Sequence, residues 1–94
     1  MTKIVINACH GGFGLSAAAE SKYKELAGIT DPIFYSRSIP RDDAHLIAVV
    51  ELMGTEADGE YAELKIVDVP DDVNWYVEEY DGREWVAERH QTWS

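Results

Sequence analysis

The sequence predicts a small α+β domain with two layers, in which two helices cover one face of a sheet of about four mainly antiparallel strands. Three observations lead to this prediction. Apolar residues recur at helical spacing in two segments, they alternate with polar residues in others, and Asp81-Gly82 has the composition of a two-residue hairpin turn. The predicted order is β-α-α-β-β-β, within one domain of residues 1–94.

The first strand and the first helix are predicted on either side of a glycine-rich stretch. Residues 3–7 form a β-branched apolar run, which is typical of a buried strand. Helical spacing then extends from Leu15 to Gly28, which has the position of a C-terminal cap. Residues 29–40 contain two prolines and no clear period, so we expect an ordered connection there that buries its aromatic residues.

The second helix and the second strand follow this connection. Pro40 with Asp42 and Asp43 predicts a helix start, because carboxylates are favourable at the positive end of the helix dipole. Gly54 ends that helix. From residue 62 to residue 69 apolar and polar residues alternate, which predicts a strand.

The segment 74–89 gives the clearest local signal. Because Asp81-Gly82 suits a type I′ turn, the strand register follows directly. One face then pairs Glu78 with Trp85, and the other pairs Glu79 with Glu84. Both faces carry apolar side chains, and the register alone leaves open which face is core. After the hairpin, Trp93 stands close to the end of the chain, which indicates a tail packed on the body or on a partner.

Composition excludes several classes of function. Of the 94 residues, 46% are hydrophobic, which is normal for a folded domain with one modest core. A single cysteine excludes an internal disulfide and a Cys-based zinc cluster. No apolar run approaches the roughly 20 residues of a membrane span, and the apolar run of residues 4–6 is too short for a signal peptide. We therefore expect a cytoplasmic protein.

The formal net charge of −10 belongs to the C-terminal part of the chain. Residues 1–41 carry five Lys and Arg against three Asp and Glu, whereas residues 42–94 carry three against fifteen. Such a charge opposes binding to phosphate backbones, since that binding needs clustered Lys and Arg. We expect no direct nucleic-acid binding and no membrane partner.

The glycine-rich loop is the first candidate site. A strand that leads through glycines into a helix presents backbone N–H groups where phosphate or carboxylate groups are often held. The alternative is a tight turn in which Ser16 caps the helix and Phe13 fills the core. We favour this alternative, because so short a motif is weak evidence for a binding site. The candidate ligand-binding residues are Asn7, His10, Gly11, Gly12, Phe13, Gly14 and Ser16.

Two further interpretations of this region are weaker. Cys9 and His10 are neighbours on a strand and point to opposite faces, so we expect a buried cysteine rather than a thiolate–imidazole pair. No two of the three histidines have i, i+3 or i, i+4 spacing, so we expect neither a metal site nor a cofactor.

The hairpin region is the second candidate site. Its carboxylates predict either a solvated face or an imitation of nucleic-acid phosphates that engages a basic groove on another protein. Its aromatic residues would be interface anchors if exposed, and core if not. Glu79 opposite Glu84 is a destabilising like-charge pair, which suggests a role other than stability. The candidate partner-binding residues are Asp71, Asp72, Trp75, Tyr76, Glu78, Glu79, Tyr80, Asp81, Glu84, Trp85 and Glu88.

Three blocks of the sequence, spread over nearly the whole chain, carry a family resemblance. They are residues 3–7 with 11–16 and Tyr23; residues 41–43 with 49–52; and residues 70–73, Trp75, 79–82, 84–85, His90 and 92–93. Together they resemble a family of small proteins encoded by tailed phages and prophages, whose members are often longer before the second block. The resemblance implies a phage or prophage origin in a bacterial host, and it implies no reaction.

Two functions of different classes follow. The first is a binding protein that inhibits a host defence or DNA-handling protein through the acidic, aromatic-bearing face, by nucleic-acid mimicry. The second is a protein that binds or sequesters a small nucleotide signal with the glycine-rich loop. An enzyme ranks third, because no coupled nucleophile, base and electrophile is present in the sequence pattern. A homodimer is left open.

Overall fold

The computed structural model describes residues 1–30 and 36–89 and confirms the α+β class. Two short 3₁₀ turns, Ser36–Ser38 and Gly54–Ala57, accompany the main elements. In chain order these are β1 (Thr2–Asn7), α1 (Ala17–Ala27), α2 (Ala44–Met53), β2 (Leu64–Val69), β3 (Trp75–Tyr80) and β4 (Arg83–Glu88). Residues 31–35 of the predicted connection and the predicted tail at residues 90–94 lie outside the described residues.

The strands form two two-stranded antiparallel sheets instead of the predicted sheet of about four strands. β1 pairs with β2, and β3 pairs with β4 in the register that the Asp81-Gly82 turn predicts. Both turn residues have positive φ, as a type I′ turn requires. The second edge of β1 is not available to another strand, because the Val5 N–H donates to the Arg41 carbonyl and the Asn7 N–H donates to the Glu84 carboxylate.

The β3–β4 hairpin covers one face of the β1–β2 sheet. Ile4, Ile6 and Val69 form a buried cluster there, and the inward side chains of the hairpin pack against it. Those side chains include Trp75 and Val77 from β3 and, from β4, Val86. The hairpin therefore adds a third layer to the two that the sequence predicted.

The helices lie on the opposite face of the β1–β2 sheet, where α2 packs on both strands and α1 packs on α2. Val5 points to this side and joins the larger core cluster, since successive residues of a strand face opposite sides. From the helices, Tyr23, Leu46 and Val49 are buried against it. Phe13, from the glycine-rich loop, completes the cluster.

The helix caps lie at residues that the sequence singled out, although α1 begins at Ala17 and not at Leu15. Ser16 caps α1, and its Oγ accepts from the Ala19 N–H; Asp43 caps α2 by accepting from two backbone N–H groups. Gly28 adopts the left-handed conformation with φ of 70°, and Gly54 follows α2. Local hydrogen bonds thus define the start of α1, which follows the glycine-rich loop, and the start of α2, which follows Arg41.

Candidate functional site

Asn7 holds the end of β1 against three other segments. It is fully buried, and its Nδ2 donates to the carbonyls of Cys9 and Gly82, both at 2.7 Å. Its Oδ1 accepts from the Glu63 N–H at 2.8 Å. Because these bonds use both ends of the amide, Asn7 fastens the glycine-rich loop to the hairpin turn.

Ser16 and Phe13 have the structural roles that the tight-turn interpretation gave them. The Ser16 hydroxyl accepts from Ala19 at 3.1 Å and donates to the Glu56 carbonyl at 2.7 Å. Phe13 is 7% exposed and lies in the core. The hydroxyl is therefore engaged within the protein at the start of α1.

Within residues 1–30 and 36–89, the hydrogen bonds of Cys9 include no imidazole partner. It is half-buried, and its thiol donates to the Tyr61 carbonyl at 3.2 Å and to Asn7 Oδ1 at 3.4 Å. His10, the next residue, is exposed at the surface beside the glycine-rich loop. Cys9 is therefore a small, partly buried side chain that is hydrogen-bonded within the protein.

The hairpin turn and the glycine-rich loop approach each other at backbone distance. A Cβ added to Gly82 would lie 2.4 Å from the His10 carbonyl oxygen and 2.8 Å from the Gly12 nitrogen. A Cβ added to Gly11 would lie 1.7 Å from the Tyr61 carbonyl oxygen. Glycine is thus required at position 82 by the contact of the turn with the loop, and at position 11 by the contact of the loop with the Tyr61 backbone.

Arg41 and Glu84 form a largely buried ion pair behind this contact. The Arg41 Nη1 donates to Oε1 of Glu84 and Nη2 donates to Oε2 at 2.9 Å, and the side chains are 17% and 7% exposed. The Arg41 guanidinium also lies 3.6 Å from the centre of the Phe13 ring, at cation–π distance. Glu84 was among the predicted partner-binding residues; the structure places it in the interior, where it joins β4 to β1.

A cavity of about 440 Å³ opens between the glycine-rich loop and the hairpin turn. Its floor is the Arg41–Glu84 pair with Phe13, and carboxylates of the hairpin line one wall. Glu79 and Asp81 are exposed there, and Glu79 accepts from the Gly82 N–H at 3.2 Å. The lining residues are His10, Gly11, Gly12, Phe13, Arg41, Glu79, Asp81, Gly82 and Glu84. The cavity thus combines residues from both candidate sites.

The outer face of the hairpin carries a fixed carboxylate between two aromatic side chains. Glu78 accepts from the Tyr76 hydroxyl at 2.9 Å and from the Trp85 indole N–H at 3.0 Å. The hydrogen bond to Glu78 raises the pKa of the Tyr76 hydroxyl above its ordinary value, with burial as a smaller cause. Arg89 stacks over the Tyr76 ring at 4.7 Å. Tyr80 is 71% exposed on the same face, so this face presents aromatic surface together with one immobilised charge.

The remaining predicted partner-binding residues lie around the hairpin. Trp75 faces inward and packs on the cluster under the hairpin, so it is not part of the outer face. Asp71 accepts from the Thr2 hydroxyl at 2.8 Å, and this bond, together with the N-terminal ammonium group, lowers its pKa. Asp72 and Glu88 are exposed at the end of the hairpin opposite the turn. The exposed carboxylates therefore lie at both ends of the aromatic face.

Arg41 is a residue of the cavity that the sequence pattern does not identify as part of a site. The predicted register already placed Glu84 on the same face as Val77 and Val86, and a carboxylate on a core face needs a cation. The sequence therefore indicates that a Lys or Arg lies close to Glu84. The partner itself was not readable, because Arg41 is 43 positions away and no local pattern links it to β4.

The other described residues add two findings about site types. Within residues 1–30 and 36–89, no group of three or more His, Cys, Asp or Glu side chains is arranged to hold a metal ion. Neither helix in that part of the chain has the length and apolar character needed to cross a membrane. Comparison with known proteins gives no match: no protein-family model, no curated protein and no solved structure is significantly similar to this chain.

Proposed function

We propose that this protein acts by binding, as a phage-type accessory protein that inhibits a host defence or DNA-handling protein. The partner presents a basic groove, and the hairpin engages it in place of nucleic acid. The action takes place in the cytoplasm of the infected or lysogenic bacterium. The resemblance in the three sequence blocks supports the phage origin, and the surface of the hairpin supports the binding mode.

The carboxylate of Glu78 is the observation that carries the proposal. It stands on an exposed sheet face, and two aromatic donors hold it in one orientation. A charge that is already immobilised loses little conformational freedom on binding, and it attracts Arg or Lys side chains of a partner. Arg89 over Tyr76 shows within the molecule that a guanidinium fits this aromatic surface.

The charge around the face supports the same choice of partner. Residues 71–89 contain seven carboxylates and two arginines, and of the seven only Glu84 is buried. Carboxylates at the turn and at the opposite end flank the exposed side chains of Tyr80 and Trp85. Such a surface steers a basic protein toward it and repels nucleic acid.

A nucleotide-binding loop, the second function, receives less support from the geometry. The Ser16 hydroxyl and the Asn7 amide are both used inside the protein. The charge of Arg41 is balanced by Glu84, and the exposed carboxylates of Glu79 and Asp81 line the same cavity. An anionic ligand would meet net negative charge there.

The proposal is tested by affinity capture from a nuclease-treated bacterial lysate at low and high salt. We expect a basic protein to be retained at about 50 mM salt and released at about 500 mM, because screening shortens the reach of surface charges. The captured protein, once purified, should be released by duplex DNA that competes for the same groove. Capture that is unchanged by salt, or that DNA does not compete with, contradicts the proposal.

Two sets of variants locate the contact. Asp72→Lys with Glu79→Lys reverses charge on the hairpin, and Trp85→Ala removes an exposed aromatic anchor. The matched control, Glu25→Lys with Glu51→Lys, makes the same change in net charge on the helices, where only surface ion pairs are lost. We expect the hairpin variants to lose capture by about tenfold or more and the control to retain it. Equal losses in both sets would point to nonspecific attraction.

A further inference from the structure

The cavity beside the hairpin turn is a shaped site with fixed walls. Its volume of about 440 Å³ lies in the range of about 300–1,000 Å³ that is typical of small-ligand sites. One wall is the backbone of the glycine-rich loop and the other is the Asp81-Gly82 turn, which are in direct contact at Gly82. Asn7 ties the two walls together through the Gly82 carbonyl. The opening is therefore built into the packing of the chain.

The charges of the cavity select its ligand. At the floor, the guanidinium of Arg41 and the carboxylate of Glu84 neutralise each other through two hydrogen bonds. Glu79 and Asp81 remain on the wall as exposed carboxylates, and no ion pair of either is found among the described residues. A group that enters the cavity consequently meets a net negative potential from Glu79 and Asp81.

We infer that this cavity receives the side chain of a basic residue, an arginine or a lysine, from the partner protein. Its ammonium or guanidinium group pairs with Glu79 and Asp81, and its aliphatic part lies along the glycine-rich loop. This inference rests on the proposed function, since it names the side-chain class that the basic partner contributes next to the outer hairpin face.

The test uses small probes and no partner protein. N-acetyl-arginine amide and N-acetyl-lysine amide are titrated into the isotope-labelled protein, and the backbone amide signals of Gly11, Gly12 and Gly82 are followed by NMR. N-acetyl-citrulline amide serves as the neutral isostere of the arginine probe, and AMP serves as the anionic probe. We expect saturable shifts with the two basic probes, with Kd of about 1 mM, a value that fits a single side chain.

Variants assign the response to the two carboxylates. Glu79→Gln and Asp81→Asn should each raise the Kd of the arginine probe by about threefold, the range of an exposed ion pair. Asparagine at position 81 tolerates the positive φ of the turn, so the hairpin is kept. Glu25→Gln, an exposed carboxylate on α1 away from the cavity, is the matched control and should leave the Kd unchanged.

The outcomes separate this inference from the proposed function. Absence of saturable shifts, equal shifts with the citrulline probe, a stronger response to AMP, or equal effects of all three variants would each overturn the cavity as a basic side-chain site. If that happens while the salt-dependent capture persists, the partner binds elsewhere on the hairpin. Saturable binding of the basic probes that the two carboxylate variants weaken supports the inference even where capture fails.

Discussion

The ion pair between Arg41 and Glu84 is the residue-scale feature on which the arrangement of layers depends. Glu84 accepts from the Asn7 N–H as well as from Arg41, and the Arg41 carbonyl accepts from the Val5 N–H. The two residues therefore close the free edge of β1 and bind each other. Breaking a buried pair leaves an uncompensated charge in the interior, which is strongly destabilising.

Removing either partner should lower the free energy of unfolding. We expect Arg41→Met and Glu84→Gln each to cost about 3 kcal/mol, measured by urea denaturation. The double variant should cost less than the sum of the two, because it leaves no unpaired charge. Arg83→Met, an exposed arginine on the same strand, is the control and should stay within about 0.5 kcal/mol. A single variant at either buried position that matches this control would show that the pair does not stabilise the fold.

The same pair explains why one residue-scale hypothesis from the sequence was incomplete. Glu79 lies opposite Glu84 in the predicted register, and this like-charge pair suggests a role other than stability when only the sequence is considered. In the structure Arg41 neutralises Glu84, so the pair needs no functional explanation. The cation that pairs with an inward-facing carboxylate is determined by the tertiary fold. It therefore cannot be predicted from the residues near Glu84 in the sequence.

At the scale of elements, the hairpin turn and the glycine-rich loop form one unit. Gly82 serves two requirements at once, because it has φ of +89° and its Cα faces the His10 carbonyl. Gly14 has open space around the position of a Cβ and no positive φ. The fold therefore requires glycine at position 82, whereas position 14 has room for a larger side chain.

Alanine substitutions at these two glycines should separate the roles. Gly82→Ala should lower the free energy of unfolding by about 2–3 kcal/mol, since it adds backbone strain and a clash with the loop. Gly14→Ala should change it by no more than about 0.5 kcal/mol. Thermal or urea unfolding measures both. Equal effects at the two positions would mean that the loop and the turn are not packed as described.

The elements that the sequence predicted well are those defined by short-range chemistry. Ser16 and Asp43 cap their helices, and Asp81-Gly82 sets the hairpin register, because each acts on residues within a few positions. The sheet was predicted less well. The alternation of apolar and polar residues predicts a strand, but it does not identify the strand with which that one pairs. On its second edge, β1 is hydrogen-bonded to Arg41 and Glu84 and not to another strand.

At the scale of the whole molecule, net negative charge opposes the compact state. The sequence has eighteen Asp and Glu against eight Lys and Arg, and a compact chain holds this excess of like charge closer together than an unfolded one does. Surface ion pairs such as Lys3–Glu51 relieve little of this repulsion. Dissolved salt screens it, with a Debye length of about 10 Å at 0.1 M.

Thermal stability at neutral pH should therefore rise with salt. We expect the Tm to increase by a few degrees between about 10 mM and 200 mM NaCl, measured by circular dichroism. Glu25→Lys with Glu51→Lys makes the net charge less negative and should make the increase in Tm smaller. A Tm that falls over this range would contradict self-repulsion as the dominant long-range term, because screening would then weaken net attraction.

The sequence by itself determined the α+β class, the helix ends, the hairpin register and the concentration of charge after residue 41. Each depends on interactions between near neighbours or on composition. Only the tertiary structure decided that the hairpin stacks on β1 and β2, that Glu84 is buried with Arg41, and that the glycine-rich loop and the turn enclose one cavity. These features join residues far apart in the chain, and whether distant groups meet depends on the packing of all the layers together.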